Sequence, residues 1–165
     1  MNPTSTLFRD DDVNVYTDVY LFWSLHQEFI KREKIHTVAV IMKDIWENHA
    51  LFYYLATAPY LEVELHGWEH KDYSQLTYME CYSDLMKSLV YWNENALRMT
   101  GGLVRPITTF FAPWNHEGEG IKQACNDLAL KFCAVKKGEW DGKYVNSFHH
   151  WYLELHPEDI PKLFK

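Results

Sequence analysis

Short runs in which apolar and polar residues alternate recur along the chain, and between them lie longer stretches whose apolar residues fall three and four apart. That pattern predicts strands alternating with amphipathic helices, as in a mostly parallel sheet or barrel with helices outside. Residues 4–8 read as a first strand, and residues 19–31 as a helix with Leu21, Phe22, Leu25 and Phe29 on one face. A buried strand over 37–42 follows, then a helix over 45–56 that must stop before Pro59, and a strand over 61–65 in which Val63 alternates with Glu62 and Glu64. The longest helix is expected over 74–99, opening on a cap at Ser74 to Thr77 and ended by Gly101-Gly102, since glycine accepts left-handed dihedrals. Residues 107–111 read as a fourth strand and 118–130 as a helix. Short β runs are expected over 132–135 and 151–155, with 138–146 as the most loop-like stretch.

Placement gives this pattern its interest. Asp11 and Asp12, His66, the Pro113-Trp114-Asn115 segment and His156 each come just after a predicted strand. In parallel barrels and open α/β sheets, that edge is where sites are assembled.

Length and composition narrow the options. A chain of 165 residues fits one domain that can bury a full core. A formal net charge of -7 and the lack of any basic run interleaved with aromatics argue against nucleic acid as a partner. Aromatics make up 16%, more than a minimal core requires, so some rings are expected to line a groove. Cys81, Cys125 and Cys133 have neither an even number nor metal-type spacing, which fits a reducing compartment and small apolar roles. No apolar run approaches membrane-spanning length and the first residues lack a secretory pattern. Cytoplasmic synthesis without a membrane is therefore expected, with viral origin or release by lysis as the routes to an outside substrate. The sequence does not fix an oligomeric state.

The chemistry lies in the acids and imidazoles. One carboxylate from Asp11-Asp12 with His66 and His70 would give a divalent ion three ligands and leave a position for water, and the second carboxylate remains as a base. His66 and His70, four apart, converge if the segment coils, and Gly67 lets the backbone bend out of the strand. Taken alone, Asp10-Asp11-Asp12 reads as a solvated, inert acidic turn, and Asp10 is an alternative for either carboxylate role. Trp68, Trp114, Trp140 and Trp151 offer faces for sugar rings or for packing, Trp114 foremost. His116, Glu117 and Glu119 read as the approach to a helix, where acidic groups suit the N-terminal dipole.

In their order, Asp11-Asp12, His66 to His70, Pro113-Trp114-Asn115 and Leu155-His156 resemble the motifs of the polysaccharide deacetylase superfamily. This is the chitin and peptidoglycan deacetylase group of metal-dependent carbohydrate esterases, carbohydrate esterase family 4. The resemblance spans nearly the whole chain and implies an irregular, incomplete (β/α) barrel. It implies removal of an acyl, typically N-acetyl, group from an amino sugar or glycan, with zinc, or cobalt, nickel or another divalent ion, as cofactor. Asp11 would be the general base, and Asp12, His66 and His70 the metal ligands. His156 would be the general acid, with His149 and His150 as rivals, and the backbone N–H of Trp114 would face the oxyanion. Three positions depart from the family pattern. Val13 replaces a glycine, Phe111 stands where an arginine would orient the base, and Asn115 stands at another glycine. Arg9, on the same side of the strand as Asp11 by alternation, is the candidate to replace that arginine. Its loss also motivates a second expectation, a catalytically inactive relative that binds carbohydrate.

Overall fold

A computed structural model describes residues 5–102 and 104–165. Among them are strands β1 (Thr6–Val13), β2 (His36–Val40), β3 (Leu61–Leu65), β4 (Thr109–Phe111), β5 (Lys131–Cys133), β6 (Lys137–Trp140) and β7 (Lys143–His149). The helices are α1 (Val19–Lys31), α2 (His49–Thr57), α3 (Tyr78–Thr100), α4 (Glu119–Asp127), α5 (His150–Leu155) and α6 (Ile160–Leu163). One seven-stranded sheet runs in the order β5-β4-β3-β2-β1-β7-β6, with every pairing parallel except the β6–β7 hairpin. The sheet curls into a nearly closed barrel, as the resemblance implies. Its two edge strands do not pair. Trp140 Nε1 instead donates to the Phe132 carbonyl at 2.9 Å, and Lys131 pairs with Asp141, so side chains close the seam.

Strand alternation sorts side chains between two cores. Leu7, Ala39, Phe111, Cys133 and Val145 fill the barrel interior with Trp140 against them. The outer face packs on the helices. Val38, Val40, Val63 and Phe110 meet Leu51, Phe52 and Leu55 of α2, Leu85 and Trp92 of α3, and Ile121 of α4. Phe8 meets Leu25 and Phe29 of α1 and Leu153 of α5. Among the described residues no helix is long and apolar enough to cross a membrane.

Several elements differ from the sequence expectation. β1 does not end at Phe8 but continues through all three aspartates, because Asp10 and Asp11 are buried and partnered rather than solvated. The first residue of the expected strand, residue 4, lies outside the described residues, as do residues 1–3. The strand bulges at Asp12, whose φ of 68° coincides with a register shift between Asp10 and Val13. The bend that a glycine would supply is thus made one residue early, and Val13 is free to enter the core.

The 45–56 helix is a 3-10 turn, Ile45–Glu47, followed by α2, with Asn48 accepting from Leu51 N at 3.2 Å as the cap. α3 starts later than expected, at a capping box between Thr77 and Glu80 rather than at Ser74, and ends at Gly101 with φ 71° as anticipated. Residues 138–146, expected as loop, belong mostly to the β6–β7 hairpin, which turns at Asp141-Gly142 with φ 49° and 74°. Residues 151–155 form α5 rather than a strand, with His150 and Leu153, three apart, as its buried side.

Candidate metal and catalytic site

The bulge at Asp12 aims a carboxylate across the C-terminal mouth of the barrel. Its Oδ1 lies 3.2 Å from His66 Nε2 and 3.2 Å from His70 Nε2. His66 follows β3 directly, and the chain then turns at Gly67, where φ is +98° and an added Cβ would collide with the Tyr73 ring. Met42 N and Lys43 N bond the carbonyls of Gly67 and Trp68, and Asp84 of α3 accepts from Trp68 N and the Tyr73 hydroxyl. This bracing lets two histidines four apart meet one carboxylate. Trp114 sets its ring against His70, 4.4 Å between centroids.

The electrostatics of this arrangement suit a cation. His66 Nδ1 lies 2.7 Å from the Phe111 carbonyl, which can only accept, so an imidazole here that carries one hydrogen carries it on Nδ1. Its Nε2 lone pair then faces Asp12 Oδ1, a buried oxygen that accepts no hydrogen bond among the described residues. Two lone pairs 3.2 Å apart repel unless a positive charge sits between them. One anionic oxygen and two imidazole nitrogens, one of them oriented by a carbonyl behind it, form a donor set suited to a zinc-like divalent ion. Asp12, His66 and His70 therefore fit such an ion.

Asp12 Oδ2 points elsewhere, to His149 Nδ1 at 3.2 Å. This carboxylate holds the half-buried His149 imidazole above its usual pKa, against the opposing effect of burial. His149 ends β7, opposite Asp11 in the β1–β7 register, and stacks on Trp151. Burial alone would raise the pKa of Asp12, and His149, first among the groups that oppose it, helps to reverse that to a lowering.

Asp11 is gripped on both oxygens. Arg9 Nε donates to Oδ1 at 2.6 Å and Ser147 Oγ to Oδ2 at 2.8 Å. Arg9, fully buried in the barrel, also donates through one terminal nitrogen to Asn115 Oδ1 at 2.8 Å and to the Val135 carbonyl at 3.0 Å. Its guanidinium lies over the Phe111 ring, 4.7 Å from the centroid. Both departures near the proline motif thus touch the same arginine. Trp114 and Asn115 adopt φ 52° and 59°, consecutive left-handed residues that swing the Asn115 amide towards Arg9.

The structure does not bring His156 to this cluster. It follows a helix rather than a strand, is largely exposed, and meets Glu158 at 3.4 Å and the Tyr152 ring. His149, Ser147 and Asp10 are the residues that sequence reasoning left out or set second. Alternation of Val145, Ser147 and His149 along β7 was the available signal, obscured because two of those three inward positions are polar. Trp114 and Trp151 are exposed beside the site, whereas Trp140 closes the barrel seam and Trp68 packs on Tyr91 with Lys87 over its ring.

No protein-family model and no curated protein matches the sequence. Solved structures do. A carbohydrate esterase family 4 pseudoenzyme from Bacillus anthracis superposes with a TM-score of 0.68 over 98% of this chain and 62% of its own, at 13% identity. The peptidoglycan deacetylase PdaC from Bacillus subtilis gives 0.66 over 98% and 84%, at 13% identity. A family 4 acetyl xylan esterase from Clostridium thermocellum, solved with a cobalt ion, gives 0.63 over 98% and 80%, at 14% identity. The chain spans less than two thirds of the length of the Bacillus anthracis protein. At these identities the likeness establishes a shared fold.

Proposed function

We propose, on the premise of the family 4 carbohydrate esterase fold that this chain shares, that it is a metal-dependent hydrolase removing an N-acetyl group from an amino sugar or glycan. The observation that carries this reading is the partnerless Asp12 Oδ1 facing two imidazole nitrogens at 3.2 Å, next to a second carboxylate fixed by Arg9. An ion held by Asp12, His66 and His70, zinc first and cobalt or nickel as substitutes, would supply Lewis-acid polarisation of the acyl oxygen and of a water.

The remaining chemistry falls to side chains. Asp11, oriented by Arg9 and Ser147, takes a proton from the attacking water as its oxygen bonds the acyl carbon. The Trp114 N–H, presented by the left-handed turn, faces the developing oxyanion. His149, protonated against Asp12, passes its proton to the amine nitrogen as the carbon–nitrogen bond breaks, leaving acetate and a free amine. His149 takes this role rather than His156 because it lies against Asp12 at the barrel mouth, whereas His156 meets Glu158 away from it. Exposed Trp114 and Trp151 offer flat faces to the apolar sides of pyranose rings.

The test is acetate release from an N-acetylated chito-oligosaccharide by the full chain, chelated and then reloaded with zinc, cobalt or nickel. Turnover that returns with the ion and is lost in Asp11→Asn, with metal content unchanged, supports the reading. No turnover with any of the three ions would overturn it.

One observation favours a second reading. Both Asp11 oxygens already accept hydrogen bonds, and the fold is shared with a pseudoenzyme, so a carbohydrate-binding protein without turnover is the rival. Calorimetric binding of the same oligosaccharide without acetate release would select it.

A further inference from the structure

Asp10 faces away from the barrel interior, opposite Arg9 and Asp11, and none of its contacts is with the metal cluster. It is nevertheless the most completely enclosed carboxylate in β1, with no exposed surface. Oδ1 accepts from the His150 backbone N–H at 2.7 Å and lies 3.1 Å from His150 Nδ1, while Oδ2 lies 3.1 Å from His36 Nε2. Behind it the chain of contacts continues: His36 Nδ1 is 3.0 Å from His26 Nδ1, and His26 Nε2 is 2.8 Å from the Pro59 carbonyl. On the other side, His150 Nε2 meets Thr17 Oγ1 at 3.2 Å.

We propose that Asp10 is a positioning residue for His149, acting from outside the barrel by gripping the backbone of the next residue, His150. The proposal rests on the reading of His149 as the proton donor. β7 ends and α5 begins at the His149–His150 junction, and no side chain within α5 caps its first N–H groups. Asp10 supplies that cap from a neighbouring strand. With the peptide N–H of His150 tied to β1, and Asp11 paired opposite His149, the His149 side chain is directed into the mouth, where Asp12 Oδ2 meets it.

Counting hydrogens explains how a carboxylate tolerates this burial. The Pro59 carbonyl only accepts, so His26 Nε2 carries a hydrogen. The facing Nδ1 atoms need one between them, and the Asp10–His36 contact needs another. Two neutral imidazoles supply two of the three. The relay Asp10–His36–His26 therefore holds one proton beyond a carboxylate and two neutral rings, and is neutral as a unit. Burial, helped by the neighbouring His36, lowers His26 to about 4, so His26 stays neutral with its hydrogen on Nε2. Phe29 stacks flat on His36 at 4.2 Å and fixes the ring plane.

This makes the substitution series discriminating. In Asp10→Asn the amide oxygen still accepts from His150, and the amide NH2 supplies the hydrogen that His36 Nε2 needs, without the extra proton. In Asp10→Ala both contacts go.

The experiment compares zinc-loaded full-length wild type, Asp10→Asn and Asp10→Ala for kcat, KM, zinc content and the ring nitrogen–proton NMR signals of His149. Asp10→Asn should keep kcat within about threefold, whereas Asp10→Ala should lose about a hundredfold in kcat with KM and zinc content unchanged, the size expected of a donor displaced by about 1 Å. Wild-type kcat in Asp10→Ala, or equal damage in both variants, would overturn the proposal. Should Asp10→Ala not fold, Thr17→Val, which removes the far support of His150 together with the acceptor of the Asn14 N–H, should lower kcat at constant KM, and an unchanged kcat there would overturn it. If wild type itself has no turnover, the hydrolase reading fails but the positioning claim is still read from the His149 signals. They should be sharp in wild type and Asp10→Asn and averaged in Asp10→Ala, and unchanged signals in Asp10→Ala would sink the claim.

Discussion

Arg9 and Asp11 lie two residues apart on the same inward side of β1, joined by an Nε–Oδ1 contact of 2.6 Å with the guanidinium fully buried. In the resembled family the arginine that orients the base comes from another strand. Here that position is Phe111, whose ring underlies the Arg9 guanidinium, and Asn115 accepts from it. The two substitutions and the arginine form one unit.

Arg9→Met should therefore cost more than a charge. Removing one partner of a buried pair destabilises by about 3–5 kcal/mol, so the denaturation midpoint should fall, and the surviving folded enzyme should lose most of its kcat. Arg9→Lys should not restore activity, since a single ammonium cannot serve Asp11, Asn115 and the Val135 carbonyl from a fixed plane. Wild-type kcat in Arg9→Lys would refute the orienting role.

His149→Gln and His156→Gln should behave oppositely. Loss of His149, the proposed general acid, should lower kcat by about 10²–10⁴, while His156→Gln, at an exposed position facing Glu158, should leave it unchanged. Parallel kinetics on the two variants decide between these histidines, and a large effect confined to His156→Gln would reverse the assignment.

The ion-free protein should show a pH dependence of stability traceable to His149. Its folded pKa is raised by Asp12, so the stability it contributes is fully present below the unfolded value of about 6.5 and is lost as pH rises through the folded value. Thermal melts of chelated wild type should fall across that window, and melts of chelated His149→Gln should fall less. Equal slopes would show that the Asp12–His149 contact does not form.

Gly67→Ala tests the bend that joins the two histidines proposed as metal ligands. A φ of +98° and a collision with the Tyr73 ring should destabilise the chain by about 1–3 kcal/mol and weaken zinc binding together, since His66 and His70 flank the strained peptide. Chemical denaturation and zinc titration would check this. Unchanged zinc affinity would mean that the turn does not set the ligand geometry.

Legibility in the sequence followed what each segment buries. α1 at Val19–Lys31 and β3 at Leu61–Leu65 match the expected ranges residue for residue, because each buries an apolar face with clear periodicity against polar neighbours. The Asp12, His66 and His70 group was visible for a different reason: four-residue spacing around a glycine, after a strand, is a pattern of residue types rather than of hydropathy. β7 failed on both counts. Its inner positions Ser147 and His149 face the site, so the strand carries too few apolar residues to announce itself, and the motif order points to His156, which follows a helix, ahead of His149. Asp10 and Asp11 looked like a solvated turn because burial of a carboxylate depends on partners such as His36 and Arg9 that are distant in sequence or meaningful only in a strand.

Zinc stoichiometry by elemental analysis, on wild type and a His66→Ala, His70→Ala double variant purified under the same mild conditions, bears most directly on the whole account. One equivalent of zinc in wild type and none in the double variant is the predicted result. Equal metal in both proteins, or none in wild type after reloading, would contradict it.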